Sequence, residues 1–340
     1  MPNIPILPLL CAFFLSVGIT PVIRSVAQRQ NWLAHPNKDR WHKKSTALMG
    51  GIAIFCGVVL PGLFIFDFNS IAQGVRPDSA IRPYGSVALL GWTLLFILGV
   101  IDDFLHIKPY TKLIGQIIVA SIVAFFGFRL HWFTSLTLDT MVTLFWIIGI
   151  TNAFNLLDNM DGLSGGIAAI AAAHFALLCA FSGQYLVGTL SVAVMAACIG
   201  FLIYNWNPAT IFMGDSGSYF IGFCLAMATL AGTFAGGSLP RHAILAPLCA
   251  LAVPLYDTAT VVLIRLRHGR SPFEADQNHF SHRLVELGLS RTAAVWTIYL
   301  ATATCGLGAL LLHQVDFVGA GVVLLLVGCV LALVAILETA

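Results

Sequence analysis

The chain alternates long apolar runs with short polar joints. Mainly apolar segments of roughly 18 to 22 residues, the length an α-helix needs to cross a bilayer, can be laid at about 4–23, 47–68, 84–101, 113–130, 135–152, 163–182, 185–205, 217–236, 243–263, 291–312 and 317–337. They predict an all-α polytopic membrane protein, a bundle of about 10–11 transmembrane helices forming one integral-membrane domain over residues 1–340. Runs 163–182 and 217–236 are rich in Gly and Ala, which suits close packing inside such a bundle. The first run, IPILPLLCAFFLSVGITPVI, follows no basic residue and carries no small-residue cleavage pattern, so it is expected to be a retained span.

Composition supports the same class. Hydrophobic residues make up 59% of the 340 and charged residues 9%, which leaves too little polar surface for a water-soluble fold. The net charge of +2 gives no reason to expect a nucleic-acid partner. The eight cysteines lie scattered in apolar runs without a CxxC pair, so neither disulfides nor zinc are expected.

Charge changes the picture once it is assigned to sides. With eleven spans every second joint shares a side, and one set comprises 24–46, 102–112, 153–162, 206–216 and 264–290. That set holds Arg24, Arg29, Lys38, Arg40, Lys43, Lys44, Lys108, Lys112, Arg265, Arg267, Arg270 and Arg283, whereas the other keeps Arg76, Arg82, Arg129 and Arg241. The positive-inside rule then makes the first set cytoplasmic, with the N-terminus outside and the C-terminus inside. Asp102, Asp103, Asp158, Asp161, Asp215, Glu274, Asp276 and Glu286 fall in the same set, which that rule does not require. Acids in four separate joints at one membrane face point to one site built from cytoplasmic loops.

Each joint has its own chemistry. In GVIDDFLHIKPYTK, adjacent Asp102 and Asp103 at a helix end repel each other, which suits a metal, a general base or both, the plain alternative being solvated boundary residues. Lys108 and Lys112 are candidate counter-charges or phosphate contacts. In NAFNLLDNMDGLSGG, Asn152, Asn155, Asp158 and Asp161 recur every third residue, and each step falls about 60° short of a full helical turn. A continuous helix would therefore point Asn152 and Asp161 to nearly opposite sides. The helix is expected to end near Asp158, with Gly162, Gly165 and Gly166 letting the chain turn and the next helix approach. NWNPATIFMGDSGSYF places Asp215 at the mouth of a span, either as a helix cap or as a carboxylate for a hard divalent cation such as Mg²⁺.

The last joint, RLRHGRSPFEADQNHFSHRLVELGLS, sets His279, His282 and Arg283 on one face if helical. Histidine and arginine beside acids suit an anionic substrate, since Arg grips phosphate in a fork and His can donate to it. In NKDRWHKKSTALMGGIAI the basic run before Gly50 and Gly51 serves lipid headgroups and topology, or phosphate capture. Acids for a divalent cation together with bases for phosphate are the equipment of phosphoryl transfer. At a bilayer surface one substrate can be a lipid phosphate and the other a soluble nucleotide.

DDFLHIKP, NAFNLLDNMDGLSGG, NWNPATIFMGDSGS and DQNHFSHRL, with MGGIAI ahead of them, resemble the polyprenyl-phosphate N-acetylhexosamine-1-phosphate transferases over about residues 20–290, the helices of 291–340 lying outside the motifs. The chain is more similar to the branch that starts O-antigen, enterobacterial common antigen and teichoic-acid linkage units than to the muramoyl-pentapeptide branch. The resemblance implies transfer of HexNAc-1-phosphate from UDP-HexNAc, first of all UDP-GlcNAc, to undecaprenyl phosphate at a bacterial plasma membrane, with Mg²⁺ or, as an alternative, Mn²⁺. Carried over by motif, Asp215 binds the metal with support from Asp102 and Asp103, one of which would deprotonate the lipid phosphate. Asn155, Asp158 and Asp161 position the nucleotide diphosphate, while His279, His282 and Arg283 hold the sugar nucleotide or its phosphates and Lys43 matches a basic position before the Gly-Gly pair; outside the motifs, Lys112 and Arg270 are further candidate substrate contacts. The family pattern H-x-H-H is broken by Ser281, and D-G-x-D-G by Asn159. Monomer and homodimer are both open, as are direct attack and an aspartyl intermediate.

One alternative class is a cation-coupled transporter, which would place ionisable residues near helix midpoints. Only Asp257 and His174 sit clearly within spans.

Overall fold

The computed structural model describes residues 6–34, 45–65, 84–232, 234, 239–271 and 279–337. Each of the eleven apolar runs carries helix. In chain order these are α1 Ile6–Arg29, α2 Gly51–Ile65, α3 Tyr84–Leu105, α4 Pro109–Phe125, α5 Leu136–Leu157, α6 Leu163–Phe181, α7 Tyr185–Asn205 and α8 Gly214–Ala231. A 3-10 turn, Arg241–Leu245, leads into α9 Ala246–Ala250 and α10 Ala252–Arg267, followed by a short α11, Phe280–Glu286, and by α12 Arg291–Leu311 and α13 Phe317–Leu337. Seven of the described helices are long and apolar enough to cross a membrane alone, and the pair joined at Leu251 makes an eighth. Helix α2 and helix α4 are shorter apolar helices, and α8 is buried along nearly all its length. The protein is thus an all-α polytopic membrane protein.

Two departures from the expected pattern bear on the site. The run 243–263, expected as a single span, bends by 65° at Leu251. Pro254 lacks the amide that would close the helical turn onto Ala250, and the chain steps out of helical geometry at Leu251, φ −106° and ψ 15°. The joint 24–46 contributes β-structure: β1 Leu33–Ala34 pairs antiparallel with β2 Thr46–Ala47. Ala47 also bridges to Ile211 in parallel, and Gly50 and Gly51 donate to the carbonyls of Phe212 and Met213 at 2.9 and 2.8 Å. This ribbon fastens the start of α2 to the segment that opens α8.

Helix α8 is the axis of the site. Helices α2, α3 and α5 pack around it, while α6 and α7 form an antiparallel pair against α1 and α12. Glycine decides the closest approaches. A Cβ on Gly51 would stand 2.2 Å from the Gly217 amide, and one on Gly99 would stand 2.4 Å from Ser216 Cα. Small residues let backbones meet where lipid supplies no hydrophobic drive between helices. Outward faces are apolar, as on α1 (Ile6, Leu7, Phe14) and α13 (Phe317, Val318, Leu325), which is the pattern of helices solvated by lipid.

Candidate functional site

The described parts of the five joints of the set expected to be cytoplasmic meet at one end of the bundle, through Arg24 with Thr210, Trp32 with Phe104, Asp103 with Asp215, Asp161 with Asn207 and Asn159 with Ser281. The centre is a cluster of Asp102 and Asp103 at the end of α3, Lys112 on α4, Asn155 on α5 and Asp215 at the start of α8. Lys112 Nζ bridges the carboxylates of Asp102 and Asp215, lying 3.5 Å from Asp215 Oδ2. Asp102 also accepts from the Tyr219 hydroxyl at 3.3 Å. Asn155 Nδ2 donates to Asp215 Oδ1 at 2.8 Å and to Ser218 Oγ at 3.0 Å, fixing that carboxylate from the opposite side. Asp215 keeps 34% of its side chain exposed against 1% for Asp102, so Asp215 is the acid that a ligand can reach.

Asp103 does different work from its neighbour. Its Oδ1 accepts from the Asp215 amide at 2.7 Å and its Oδ2 from the Ser216 amide at 3.0 Å. These are first-turn amides of α8, which have no partner inside their own helix. A carboxylate there also meets the positive end of the helix dipole. Adjacent positions on a helix point about 100° apart, so Asp103 faces α8 while Asp102 faces Lys112 and Tyr219. The polar layer continues downward, where Asn152 Nδ2 donates to Gln116 Oε1 at 2.6 Å.

The α5–α6 turn is the second part. Helix α5 ends at Leu157 with Asp158 as its C-cap, as the threefold spacing predicts. The chain then reverses through Gly162, whose φ of +77° suits glycine. Asp161 Oδ2 accepts from Asn207 Nδ2 at 3.0 Å and from the Ala209 amide at 3.1 Å, so it organises the α7–α8 joint. Asn205 Oδ1 accepts the Gly162 amide at 3.0 Å, and the Tyr299 hydroxyl donates to the Gly162 carbonyl.

The third part is the α10–α11 junction. His279 Nδ1 lies 2.9 Å from Asp257 Oδ2, and the Phe280 amide donates to Asp257 Oδ1 at 2.7 Å. A carboxylate only accepts, so it selects the tautomer protonated at Nδ1 and leaves Nε2 for other partners. Ser281 Oγ donates to Asn159 Oδ1 at 2.7 Å. His282 is buried one helical step on, its ring 6.2 Å from that of His279. Arg283 donates to Thr260 Oγ1 at 3.3 Å. Arg270 is exposed just past α10, and Lys43 lies outside the described residues. Asp102, Asp103, Lys112, Asn155 and Asp215 therefore form one contact network, and Asp158 and Asp161 share a turn linked to the His279–Arg283 segment.

Among the described residues no three His, Cys, Asp or Glu side chains are grouped to hold a metal by themselves. The donor set nevertheless fits Mg²⁺, which binds through one or two carboxylates and takes its remaining oxygens from water and substrate phosphate. Asp215 is such a hard donor, open to a ligand, and buried Asp102 stands behind it across Lys112 Nζ.

Sequence reasoning did not assign Asp257, Tyr219, Asn205 or Tyr299 to this end of the bundle. Asp257 carried the one available signal, a lone acid in an apolar helix. It is fully buried and both its oxygens are engaged by His279 and Phe280.

These features define a multi-pass membrane protein with one composite site of carboxylates, amides and imidazoles at one end of its bundle. The chain belongs to glycosyl transferase family 4, whose model matches residues 86–233, the stretch from α3 to the end of α8. It is 31% identical over 305 residues to the "Probable undecaprenyl-phosphate N-acetylglucosaminyl 1-phosphate transferase" of Bacillus subtilis (strain 168), covering 87% of this chain and 81% of that one. It is 32% identical over 333 residues to the decaprenyl-phosphate N-acetylglucosaminephosphotransferase of Mycolicibacterium smegmatis, covering 88% and 80%. It is 28% identical over 318 residues to the undecaprenyl-phosphate alpha-N-acetylglucosaminyl 1-phosphate transferase of Escherichia coli (strain K12), covering 89% and 82%. The transporter reading gains no support from them.

Proposed function

We propose that the protein transfers N-acetylglucosamine 1-phosphate from UDP-GlcNAc to undecaprenyl phosphate, at the cytoplasmic face of a bacterial plasma membrane, and so starts a cell-envelope glycan. The observation that carries this reading is the junction of Asp102, Lys112, Asn155 and Asp215 at one end of an apolar bundle, where a lipid phosphate and a nucleotide can meet. The names of the relatives supply the polyprenyl phosphate and the N-acetylglucosamine 1-phosphate group, and the motif resemblance supplies the UDP carrier. The Lys/Arg asymmetry of the joints supplies the side.

In this mechanism an oxygen of the lipid phosphate attacks the β-phosphorus of UDP-GlcNAc. The bond from that phosphorus to the α–β bridging oxygen breaks, UMP leaves, and a lipid-diphosphate-sugar remains. Mg²⁺ held by Asp215, with Asp102 behind it, would neutralise the diphosphate charge and polarise the phosphorus. Asn155 holds Asp215 in place, and Lys112 balances the two carboxylates. Asp103 is a positioning residue that aims the start of α8. His279, kept in one tautomer by Asp257, presents Nε2 to the donor. Both Asp103 oxygens are committed to amides and Asp102 is buried, which favours direct attack over an aspartyl intermediate.

The test is turnover of radiolabelled UDP-GlcNAc by purified protein with undecaprenyl phosphate and Mg²⁺. Asp215→Asn is expected to lower kcat by about 100-fold or more, and full Mg²⁺-dependent UMP release by that variant would refute the metal assignment. Sidedness is read by single-cysteine labelling at Arg283 and Arg241 in a cysteine-free background. Labelling of Arg283→Cys from outside intact cells would overturn the cytoplasmic site.

A further inference from the structure

Asn159 and Ser281 each break the pattern of the motif that contains them, 122 residues apart, and they touch each other. Ser281 Oγ donates to Asn159 Oδ1 at 2.7 Å. The amide of Asn159 is not free to swivel, because its Nδ2 donates to the Leu156 carbonyl at 2.8 Å, which turns Oδ1 outward from α5. Ser281 is 2% exposed, so its hydroxyl has no access to water as a substitute partner. Losing that contact would leave a buried polar group unsatisfied.

The position of this contact gives it a consequence. Helix α11 has only seven residues, and its first turn is held at two points. Asp257 on α10 holds His279 and Phe280, and Asn159 on the α5–α6 turn holds Ser281. The first contact fixes the imidazole of His279. The second fixes how far that imidazole stands from Asp158 and Asp161 on either side of Asn159. A serine cannot carry charge, and the contact is between neutral groups. It therefore joins two parts of the site without adding a cation to it.

We propose that the Asn159–Ser281 hydrogen bond is a positioning latch. It sets the His279–His282 segment against the Asp158–Asp161 turn at the spacing that binds the nucleotide-sugar, with no part in the chemical step. This rests on the function proposed above, because the ligand it serves is the donor of that reaction.

The experiment is a double-mutant cycle on the purified full-length protein, assayed with UDP-GlcNAc, undecaprenyl phosphate and Mg²⁺, with thermal melting of every variant. Asn159→Ala and Ser281→Ala are each expected to raise KM for UDP-GlcNAc about fivefold, and the double variant no further than either, since coupled neighbours are not additive. kcat and KM for undecaprenyl phosphate are expected to stay within about twofold, since loss of a contact that serves only binding of the donor raises the KM of that donor without lowering kcat. Ser281→Thr, which keeps the hydroxyl, is expected to retain the KM of the unaltered protein. An active unaltered enzyme whose single variants leave KM unchanged, whose effects multiply in the double variant, or whose KM changes merely follow a fall in Tm would overturn the latch. Absence of turnover by the unaltered protein would instead overturn the function on which it rests.

Discussion

Asp257 on α10 holds His279 by a 2.9 Å contact to Nδ1 and, through its other oxygen, the amide of Phe280 at 2.7 Å. One buried carboxylate thus fixes both the ring of His279 and the amide of Phe280, the residue that begins α11. Asp257→Asn replaces an acceptor by a group that also donates, so the ring loses its fixed tautomer. A hydrogen bond to a charged group contributes about 1.5–3 kcal/mol, and kcat/KM for UDP-GlcNAc is expected to fall by roughly 10- to 100-fold. Steady-state kinetics at saturating lipid acceptor read this, and unchanged kcat/KM would count against His279 as a donor contact.

Asp103 caps the first amides of α8, and its removal is expected to act on stability and geometry together. Asp103→Ala leaves the amides of Asp215 and Ser216 without their acceptor, at a cost of about 0.5–2 kcal/mol. Asp103→Asn keeps one acceptor oxygen and is expected to fall between Ala and the unaltered protein in both Tm and turnover. If Asp103 were instead a metal ligand of its own, Asn and Ala would be equally inactive with no change in Tm.

Gly99 lies one helical turn before Asp103, on the face of α3 that meets α8. A Cβ there would stand 2.4 Å from Ser216 Cα and 2.5 Å from the Asp215 carbonyl. Neither is a side chain that can swing away, so Gly99→Ala is expected to cost at least about 1–3 kcal/mol and to shift Asp215 with it. Gly149→Ala, where nothing lies within 4 Å of the added atom, serves as the control. Thermal melting and turnover should both fall for Gly99→Ala and hold for the control.

Asp161 accepts from Asn207 and Ala209, so on the function proposed above it acts on the substrates through the joint that it organises. Asp161→Asn preserves an acceptor oxygen and is expected to retain more activity than Asp161→Ala. Limited proteolysis is expected to cut the 206–213 joint faster in Asp161→Ala, the variant that leaves both donors without a partner. Equal proteolysis of the two variants would show that Asp161 does not act through the joint.

The helices were legible because apolar runs of bilayer length announce themselves, and the break at Asp158 was legible because a threefold spacing drifts around a helix. The four-residue ribbon of Leu33–Ala34 and Thr46–Ala47 is too short to show any period. Asp102 and Asp103 look alike in the sequence and differ only through their neighbours. One faces Lys112 and Tyr219, and the other the amides of α8. Asp257 was visible as an acid in a span, but its partner, His279, is 22 residues further on and past the end of α10. Asn159 and Ser281 read as two unrelated departures because nothing local signals a contact across 122 residues.

The hydroxyl of Tyr299 belongs to α12, beyond all the motifs and beyond the stretch that matches the family model. Yet it bonds the Gly162 carbonyl and occupies the space over Gly166, where an added Cβ would stand 1.7 Å from it. A minimal unit designed from the motifs alone would stop near residue 290 and lose this wedge. The α5–α6 turn would then face lipid or water where it now meets a phenol. Anyone shortening or recombining such chains should therefore treat α12 as part of the active unit, a buttress supplied late in the sequence to a turn formed early.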